Sequence, residues 1–290
     1  MGLTKNMIQL LLSSKTKRQV GFENMVMIGR QALHLSDIQL KDCLSYFGYP
    51  TSHVKEIMTH NQGFSEKLFN VFGAKQVDSL DASSYEDATI IHDLNQPIPP
   101  EYKNKYNLVL DSGTIEHVFN VPIALKNCME LTKEQGHFIG IYPSNNFFGH
   151  GFYQFSSELF YRTLSEVNGF QIIDVVLFVD DPKPKFYALP DTSEAYQRIL
   201  LINSKPLYLY VVAKKIKTVE IFKENPLQMD YSQLKWNGIR TAVKRPKKKK
   251  KFSNLLPQYL KNLIKAILNK TPTDDSKYFN KPFLKAYKLK

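Results

Sequence analysis

Short, unbroken apolar runs recur along the first 217 residues, and each ends abruptly at a polar residue or a glycine. Unbroken hydrophobicity is typical of strands buried on both faces of a parallel sheet, whereas half-exposed strands alternate apolar and polar residues. Three unbroken runs predict such strands: Met25–Ile28, Leu108–Leu110 and Phe138–Tyr142. Two runs that include polar residues, Val77–Leu80 and Ala88–Ile91, predict two more. Two later runs, Ile172–Val179 and Leu207–Ala213, predict two closing strands.

Amphipathic segments separate these runs and predict helices. Ser36 can cap one helix, and Ser65 can cap another that stops at Gly73. Residues 122–132 and 156–168 have the same character. Strand and helix therefore alternate, which predicts an α/β fold with a doubly wound, mostly parallel, seven-stranded sheet.

Positive charge is concentrated beyond this alternation. The chain has a net charge of +12. Residues 238–290 hold 16 Lys and Arg against two Asp, a net charge of +14. The other 237 residues hold 23 basic and 25 acidic side chains, a net charge of −2. A basic extension on a near-neutral body says nothing about nucleic acid binding by the body itself. We divide the chain into an N-terminal helical segment (1–22), an α/β domain (23–217), a linker or covering segment (218–240) and a basic amphipathic helical extension (241–290).

Composition excludes several protein classes. Cys43 and Cys128 could form at most one bridge, so the chain is not a disulfide scaffold, and unpaired thiols fit a reducing compartment. No run approaches the ~20 apolar residues of a spanning helix, and Met7–Leu12 is too short for a signal-peptide core. A myristoylation signal that starts at Gly2 would have Ser or Thr at position 6, where this chain has Asn6. We expect a cytoplasmic protein.

Polar residues follow the predicted strands. In an open α/β sheet, ligands bind beyond the carboxyl ends of the strands, where strand order reverses. The residues at those ends are Gly29, Arg30 and Gln31, then Asp81, Asp93, Asp111–His117 and Pro143–Asn146. A carboxylate there can hold a ribose diol, and a second can accept from an exocyclic amine. Alternatively, each Asp only caps the turn that follows it.

Four stretches carry a resemblance to a known family. Ile91–Pro99, Tyr106–Val118, Ala124–Leu131 and Gly136–Pro143 resemble class I S-adenosylmethionine-dependent methyltransferases. They are similar to that family's third strand, fourth strand with a Glu-His signature, following helix, and fifth strand ending in proline. The resemblance covers residues 23–217 and implies a Rossmann-like, methyltransferase-like domain with S-adenosylmethionine as cofactor.

The resemblance also implies roles for the residues at the strand ends. Asp81 would hold the ribose hydroxyls, Asp93 would accept from the adenine amino group, and Leu94 would line the base. The residues implied to border the methionine part and the sulfonium are Asp111, Ser112 and Gly113.

The first loop departs from the family pattern, which has several glycines. This chain has Gly29 alone, followed by Arg30 and Gln31, whose side chains we expect to bind the cofactor carboxylate instead. No G-x-G-x-x-G follows the first strand, which disfavours a nicotinamide dehydrogenase.

Residues 145–155 are the densest polar and aromatic segment. We predict that this segment binds a hydroxyl-bearing small-molecule or carbohydrate acceptor, through Asn145, Asn146, Tyr153 and Gln154. His117 and His150 are the candidate general bases, because imidazole titrates near neutral pH. The alternatives are a packed turn with locally satisfied amides, and structural histidines. We predict no metal site.

The basic extension has three interpretations. Five lysines, 247–251, followed by apolar residues at helical spacing predict that the 244–270 segment binds an anionic membrane surface, which would place the protein at the inner membrane face. RNA binding competes, and so does a helix packed on the body. The function is accordingly methylation of a small or glycan-precursor acceptor, RNA methylation guided by the extension, or binding by a catalytically degenerate methyltransferase fold.

Overall fold

The computed structural model describes residues 2–191, 201, 203–232 and 285–290. The predicted helix in the basic extension lies outside these residues. The helices are α1 Lys5–Arg18, α2 Asp37–Tyr46, α3 Val54–Thr59, α4 Glu66–Val71, α5 Val121–Leu131, α6 Ser157–Thr163 and α7 Met229–Ser232. The strands are β1 Gly2–Leu3, β2 Asn24–Ile28, β3 Ala32–Leu33, β4 Gln76–Asp81, β5 Ile90–Ile91, β6 Tyr106–Ser112, β7 Thr132–Asn145, β8 Phe170–Phe178, β9 Phe186–Ala188, β10 Leu207–Lys215 and β11 Lys285–Ala286.

The main sheet is doubly wound. Its order in the described part of the chain is β11-β9-β8-β10-β7-β6-β2-β4-β5. The chain moves outward from β2 through β4 to β5, then returns to the other side of β2 with β6 and β7, and all these pairs are parallel. Strand order therefore reverses between β2 and β6. β10 lies antiparallel between β7 and β8, so the predicted doubly wound, mostly parallel α/β sheet is confirmed.

The sheet differs from the prediction at one edge. The seven predicted strands correspond to β2, β4, β5, β6, β7, β8 and β10, and two short strands, β9 and β11, extend the edge beyond β8. β1 and β3 form a separate two-stranded sheet. The added strands are two or three residues long, and so short a strand has no hydrophobic periodicity to read.

Hydrophobic cores lie on both faces of the sheet, which explains the unbroken apolar runs. Along β2, Val26 and Ile28 belong to the core on one face, where α5 also packs. Met25 and Met27 belong to the core on the other face, with α1, α2 and α4. Successive side chains of a strand point to opposite faces, so a strand covered on both sides must be apolar throughout.

The start of α2 follows local capping. Ser36 forms a capping box with Gln39: the Ser36 side chain accepts from the Gln39 backbone, and the Gln39 side chain accepts from the Ser36 backbone. This confirms the predicted start of α2. The predicted 156–168 helix is shorter than expected, because α6 ends at Thr163 and a separate 3₁₀ turn covers 166–168.

Residues 285–290, from the basic extension, pack on the body. β11 pairs with β9, and the Ser13 hydroxyl of α1 donates to the Leu289 carbonyl at 2.8 Å. The Tyr287 hydroxyl donates to Asp174 at 3.3 Å, and the side chains of Tyr287 and Leu289 pack against the core. In the described ranges, no helix has the length and apolar character required to cross a membrane.

Candidate functional site

A cavity of about 290 Å³ opens at the carboxyl ends of β4 and β5, beside the turn that follows β6. Its lining comes from β4 and β5 on one side of β2 and from the turn after β6 on the other. It therefore lies over the point where strand order reverses, which is where an open α/β sheet binds its ligands. Its lining residues are Leu80, Asp81, Ala82, Asp93, Leu94, Asn95, Thr114, His117 and Val118.

Asp81 and Asp93 both line this cavity. Asp81 ends β4, and its Oδ1 accepts from the Ser83 backbone at 3.2 Å. Asp93 follows β5, and its Oδ1 accepts from the backbone and side-chain nitrogens of Asn95 at 2.9 and 2.8 Å. The backbone hydrogen bond, followed by the side-chain one, lowers the pKa of Asp93. The cavity therefore presents two carboxylates, of which Asp93 is held in its ionised form.

Asp111 lies apart from these two carboxylates. It is fully buried, and its carboxylate accepts from the backbone nitrogens of Thr114 and Ile115 at 2.9 and 3.4 Å. Burial raises the pKa of Asp111. These are the contacts of a residue that caps the turn following its strand, and Asp111 does not line the cavity.

The loop after β2 is occupied by internal contacts. The Gly29 backbone nitrogen donates to Leu80 at 2.7 Å, with a φ of 69°. The buried Arg30 guanidinium donates to Glu66 at 2.6 Å and to the Glu86 carbonyl at 2.7 Å. The buried Gln31 amide donates to the carbonyls of Ile28 and Gly29. Binding of a cofactor carboxylate by Arg30 or Gln31 stays a prediction.

β6 ends at Ser112, and Gly113 begins the turn that follows. Ser112 is 5% exposed, and its hydroxyl donates to the Met7 sulfur of α1 at 3.9 Å. Gly113 has a φ of 91°, a backbone conformation that glycine adopts without strain. α1 thus covers the side of the sheet where the methionine part of the cofactor is predicted to lie.

Glu116, His117 and His150 come together beside the cavity. Glu116 is only 1% exposed, and its Oε1 lies 3.6 Å from His150 Nε2. The rings of His117 and His150 meet edge to face with centroids 5.0 Å apart. Burial, with Asp111 nearby, raises the pKa of Glu116, and burial followed by the charge of His150 lowers the pKa of His117. The sequence predicts both histidines as site residues, whereas Glu116 enters the prediction only as part of the Glu-His signature.

The backbone fixes this cluster. The nitrogens of Phe152 and Tyr153 donate to the Glu116 carbonyl at 2.8 and 3.3 Å. Gly151, with a φ of 70°, makes the close approach, since a Cβ there would lie 2.8 Å from the Glu116 carbonyl oxygen. The loop after β7 is thereby tied to the turn after β6, which brings His150 to His117.

The predicted acceptor residues hold this loop in shape. Asn145 donates to Asn203 at 2.7 Å, and Asn146 donates to the carbonyls of Asn203 and Lys205 at 2.9 Å. These are the contacts of a packed turn with locally satisfied amides.

Gln154 and Tyr153 make similar local contacts. Gln154 accepts from the Phe147 backbone at 2.8 Å, and the Tyr153 hydroxyl donates to the Phe119 carbonyl at 2.8 Å. Beside them, Phe119 and Phe152 stack edge to face although 72% and 67% of their surfaces are exposed. An acceptor role for these polar side chains stays a prediction. Of the two exposed rings, Phe152 belongs to the 145–155 segment that the sequence singled out, and Phe119 does not.

Comparison with known proteins finds similarity in solved structures alone: no family model and no curated protein matches. The N-methyltransferase NodS from Bradyrhizobium japonicum, in complex with S-adenosyl-L-homocysteine, is 11% identical, with 72% of this chain and 85% of that chain covered at a TM-score of 0.37. The 1,6-didemethyltoxoflavin-N1-methyltransferase of Burkholderia thailandensis is 12% identical, covering 72% and 79% at 0.39. A SAM-dependent methyltransferase from Aquifex aeolicus is 11% identical, covering 71% and 91% at 0.33. Likeness of this degree leaves function to be argued from the site itself.

Proposed function

We propose that this protein is an S-adenosylmethionine-dependent methyltransferase. The observation that carries the proposal is the pair of carboxylates, Asp81 and Asp93, on one cavity at the carboxyl ends of adjacent parallel strands. A nucleoside needs acceptors for its ribose hydroxyls and its exocyclic amine, and carboxylates supply both.

The cavity fits the adenosine part of the cofactor. Asp81 would accept from the ribose hydroxyls, and Asp93, oriented by Asn95, would accept from the adenine amine. The apolar walls for the base are Leu80, Leu94 and Val118. Burying a flat ring between aliphatic side chains provides affinity, while the carboxylates provide orientation.

Bound S-adenosylmethionine supplies a methyl group activated by positive sulfur, so the protein contributes mainly placement of the reacting groups. His117 lies on the cavity wall and His150 next to it. Either imidazole can take the proton of an acceptor hydroxyl. The half-exposed His150 side chain is open to an acceptor arriving from solvent.

We propose a hydroxyl of a small or carbohydrate acceptor as the methylation site. The exposed rings of Phe119 and Phe152, beside the Tyr153 hydroxyl, form an aromatic surface next to the histidines. Sugar faces pack on aromatic rings while their hydroxyls bond to nearby polar groups.

Isothermal titration of the full chain with S-adenosylhomocysteine tests the cofactor assignment, and methyl transfer to a panel of sugars and small alcohols tests the activity. Saturable binding with transfer supports the enzyme. Binding without transfer to the panel or to RNA favours the degenerate binding module, for which the occupied loop after β2 is a specific argument. No saturable binding would refute the cofactor assignment.

We propose an anionic membrane surface as the partner of the 244–270 segment, from its charge and spacing in the sequence. Co-sedimentation with vesicles containing phosphatidylserine, against neutral phosphatidylcholine vesicles, tests this. Equal pelleting with both would contradict it, and ribonuclease-sensitive co-purification of RNA would favour the RNA alternative.

A further inference from the structure

Two imidazoles and one buried carboxylate face each other beside the cavity. One donor atom from each of Glu116, His117 and His150 lies within 4.8 Å of the other two. Two histidines and a glutamate are a ligand set for Zn²⁺ in sites that keep an open fourth position. We propose that these three residues bind a divalent transition-metal ion of the Zn²⁺ type, which goes beyond the methyltransferase assignment.

Glu116 provides independent evidence that a bound ion belongs in this cluster. Its side chain is 1% exposed, and its Oε2 has no hydrogen-bond partner in the described part of the chain. Leaving a buried carboxylate oxygen without a partner costs free energy. Such oxygens are therefore normally hydrogen-bonded, ion-paired or bound to a metal. Within the described residues its ion-pair partner is His150 alone, at 3.6 Å, a separation too long for a hydrogen bond.

The spacing of the donors suits a single ion. Ligands at about 2.0–2.1 Å in a tetrahedral site lie roughly 3.3 Å from each other. The Glu116–His150 pair is already near that value at 3.6 Å. The donor atoms of all three residues lie within 4.8 Å of one another. Both histidine side chains are exposed and can turn toward a shared ion.

The surroundings hold the ligands in place. His150 packs between the rings of His117 and Phe147, with centroids 5.0 and 5.6 Å away. The backbone hydrogen bonds to the Glu116 carbonyl fix the loop that carries His150. Because His117 also lines the cavity, a bound ion would be a Lewis acid beside the proposed acceptor position. The role of base proposed above for the histidines applies to the ion-free protein.

Two titrations of the tag-free, chelator-treated full chain test the site. Calorimetry follows the binding of Zn²⁺, and visible absorption follows the binding of Co²⁺. We expect one ion per chain, and an affinity at least about 100-fold weaker in His150→Asn and in Glu116→Gln. The matched control is His53→Asn, because His53 and Glu56 form an exposed imidazole–carboxylate pair at 3.2 Å without a third ligand. This control should bind the ion as wild type does.

Two results would overturn the proposed metal site. No saturable binding, or binding that His150→Asn leaves unchanged, would remove the metal site. His150 is exposed, so this variant decides the question even if Glu116→Gln melts at a lower temperature. S-adenosylhomocysteine binding is measured on the same samples, which keeps the two proposals separate. A protein that binds Zn²⁺ but does not bind S-adenosylhomocysteine upholds this inference and refutes the cofactor assignment.

Discussion

Substitution of Asp81 by Asn should weaken cofactor binding without disturbing the fold. Asp81 Oδ1 accepts from the Ser83 backbone at 3.2 Å, and an Asn side chain keeps an oxygen for that bond. What Asn lacks is the negative charge and the second acceptor oxygen, which are the features proposed to hold the ribose diol. A hydrogen bond to a charged group contributes about 1.5–3 kcal/mol. The dissociation constant of S-adenosylhomocysteine should therefore rise roughly 10- to 150-fold.

Calorimetry at constant temperature measures this change, with thermal unfolding as the check on the fold. Asp87→Asn is the matched control, because Asp87 lies in the same loop without lining the cavity, and its φ of 51° suits Asn. A mutant–ligand cycle with 2′-deoxy S-adenosylhomocysteine sharpens the test. The loss of affinity from Asp81→Asn and the loss from removing the 2′-hydroxyl should not add, because both changes remove the same contact. Additive losses, or an Asp81→Asn constant within twofold of wild type, would refute the placement of the ribose.

Three further predictions concern the body. Burial lowers the pKa of Lys215 from 10.5 to about 8, so between those pH values the unfolded chain binds a proton that the native chain has released. This makes the free energy of unfolding rise with pH by at most about 3 kcal/mol, and urea titrations of wild type and Lys215→Met must differ in that slope. Gly151→Ala should destabilise the protein by about 1–3 kcal/mol in thermal unfolding, because its Cβ would collide with the Glu116 carbonyl; an unchanged melting temperature contradicts this. Burial raises the pKa of Cys43 to about 12 and also that of Cys128, so neither thiol should react with a disulfide reagent until denaturant is added, and rapid native-state labelling of either would be contrary evidence.

The sheet could be predicted from the sequence because burial on both faces leaves a direct trace, the unbroken apolar run. The short edge strands could not. Lys285 and Ala286 pair with β9 only after more than 90 intervening residues bring them back, and no local pattern specifies such a pairing.

The candidate site shows the same division. An Asp at a strand end looks alike whether it faces a ligand or caps a turn, and only the fold separates Asp81, on the cavity, from the buried Asp111. Glu116 and His150 are 34 positions apart, and their meeting depends on the left-handed backbone of Gly151. Similarly, Lys215 ends a strand as an ordinary lysine, yet its ammonium donates to the carbonyls of Met129 and Thr132.

Because Lys285–Ala286 pairs with β9, the lysine-rich stretch is fastened to the body at both of its ends. Residues 233–284 carry 14 Lys and Arg against two Asp, which equals the net charge of +12 for the whole protein. Any surface that attracts this stretch therefore pulls at the β11 edge of the sheet. The cavity lined by Asp81 and Asp93 opens near the opposite edge, at β5. A protease cut anywhere in between would leave the final strand bound by noncovalent contacts alone, free to exchange with a competing peptide.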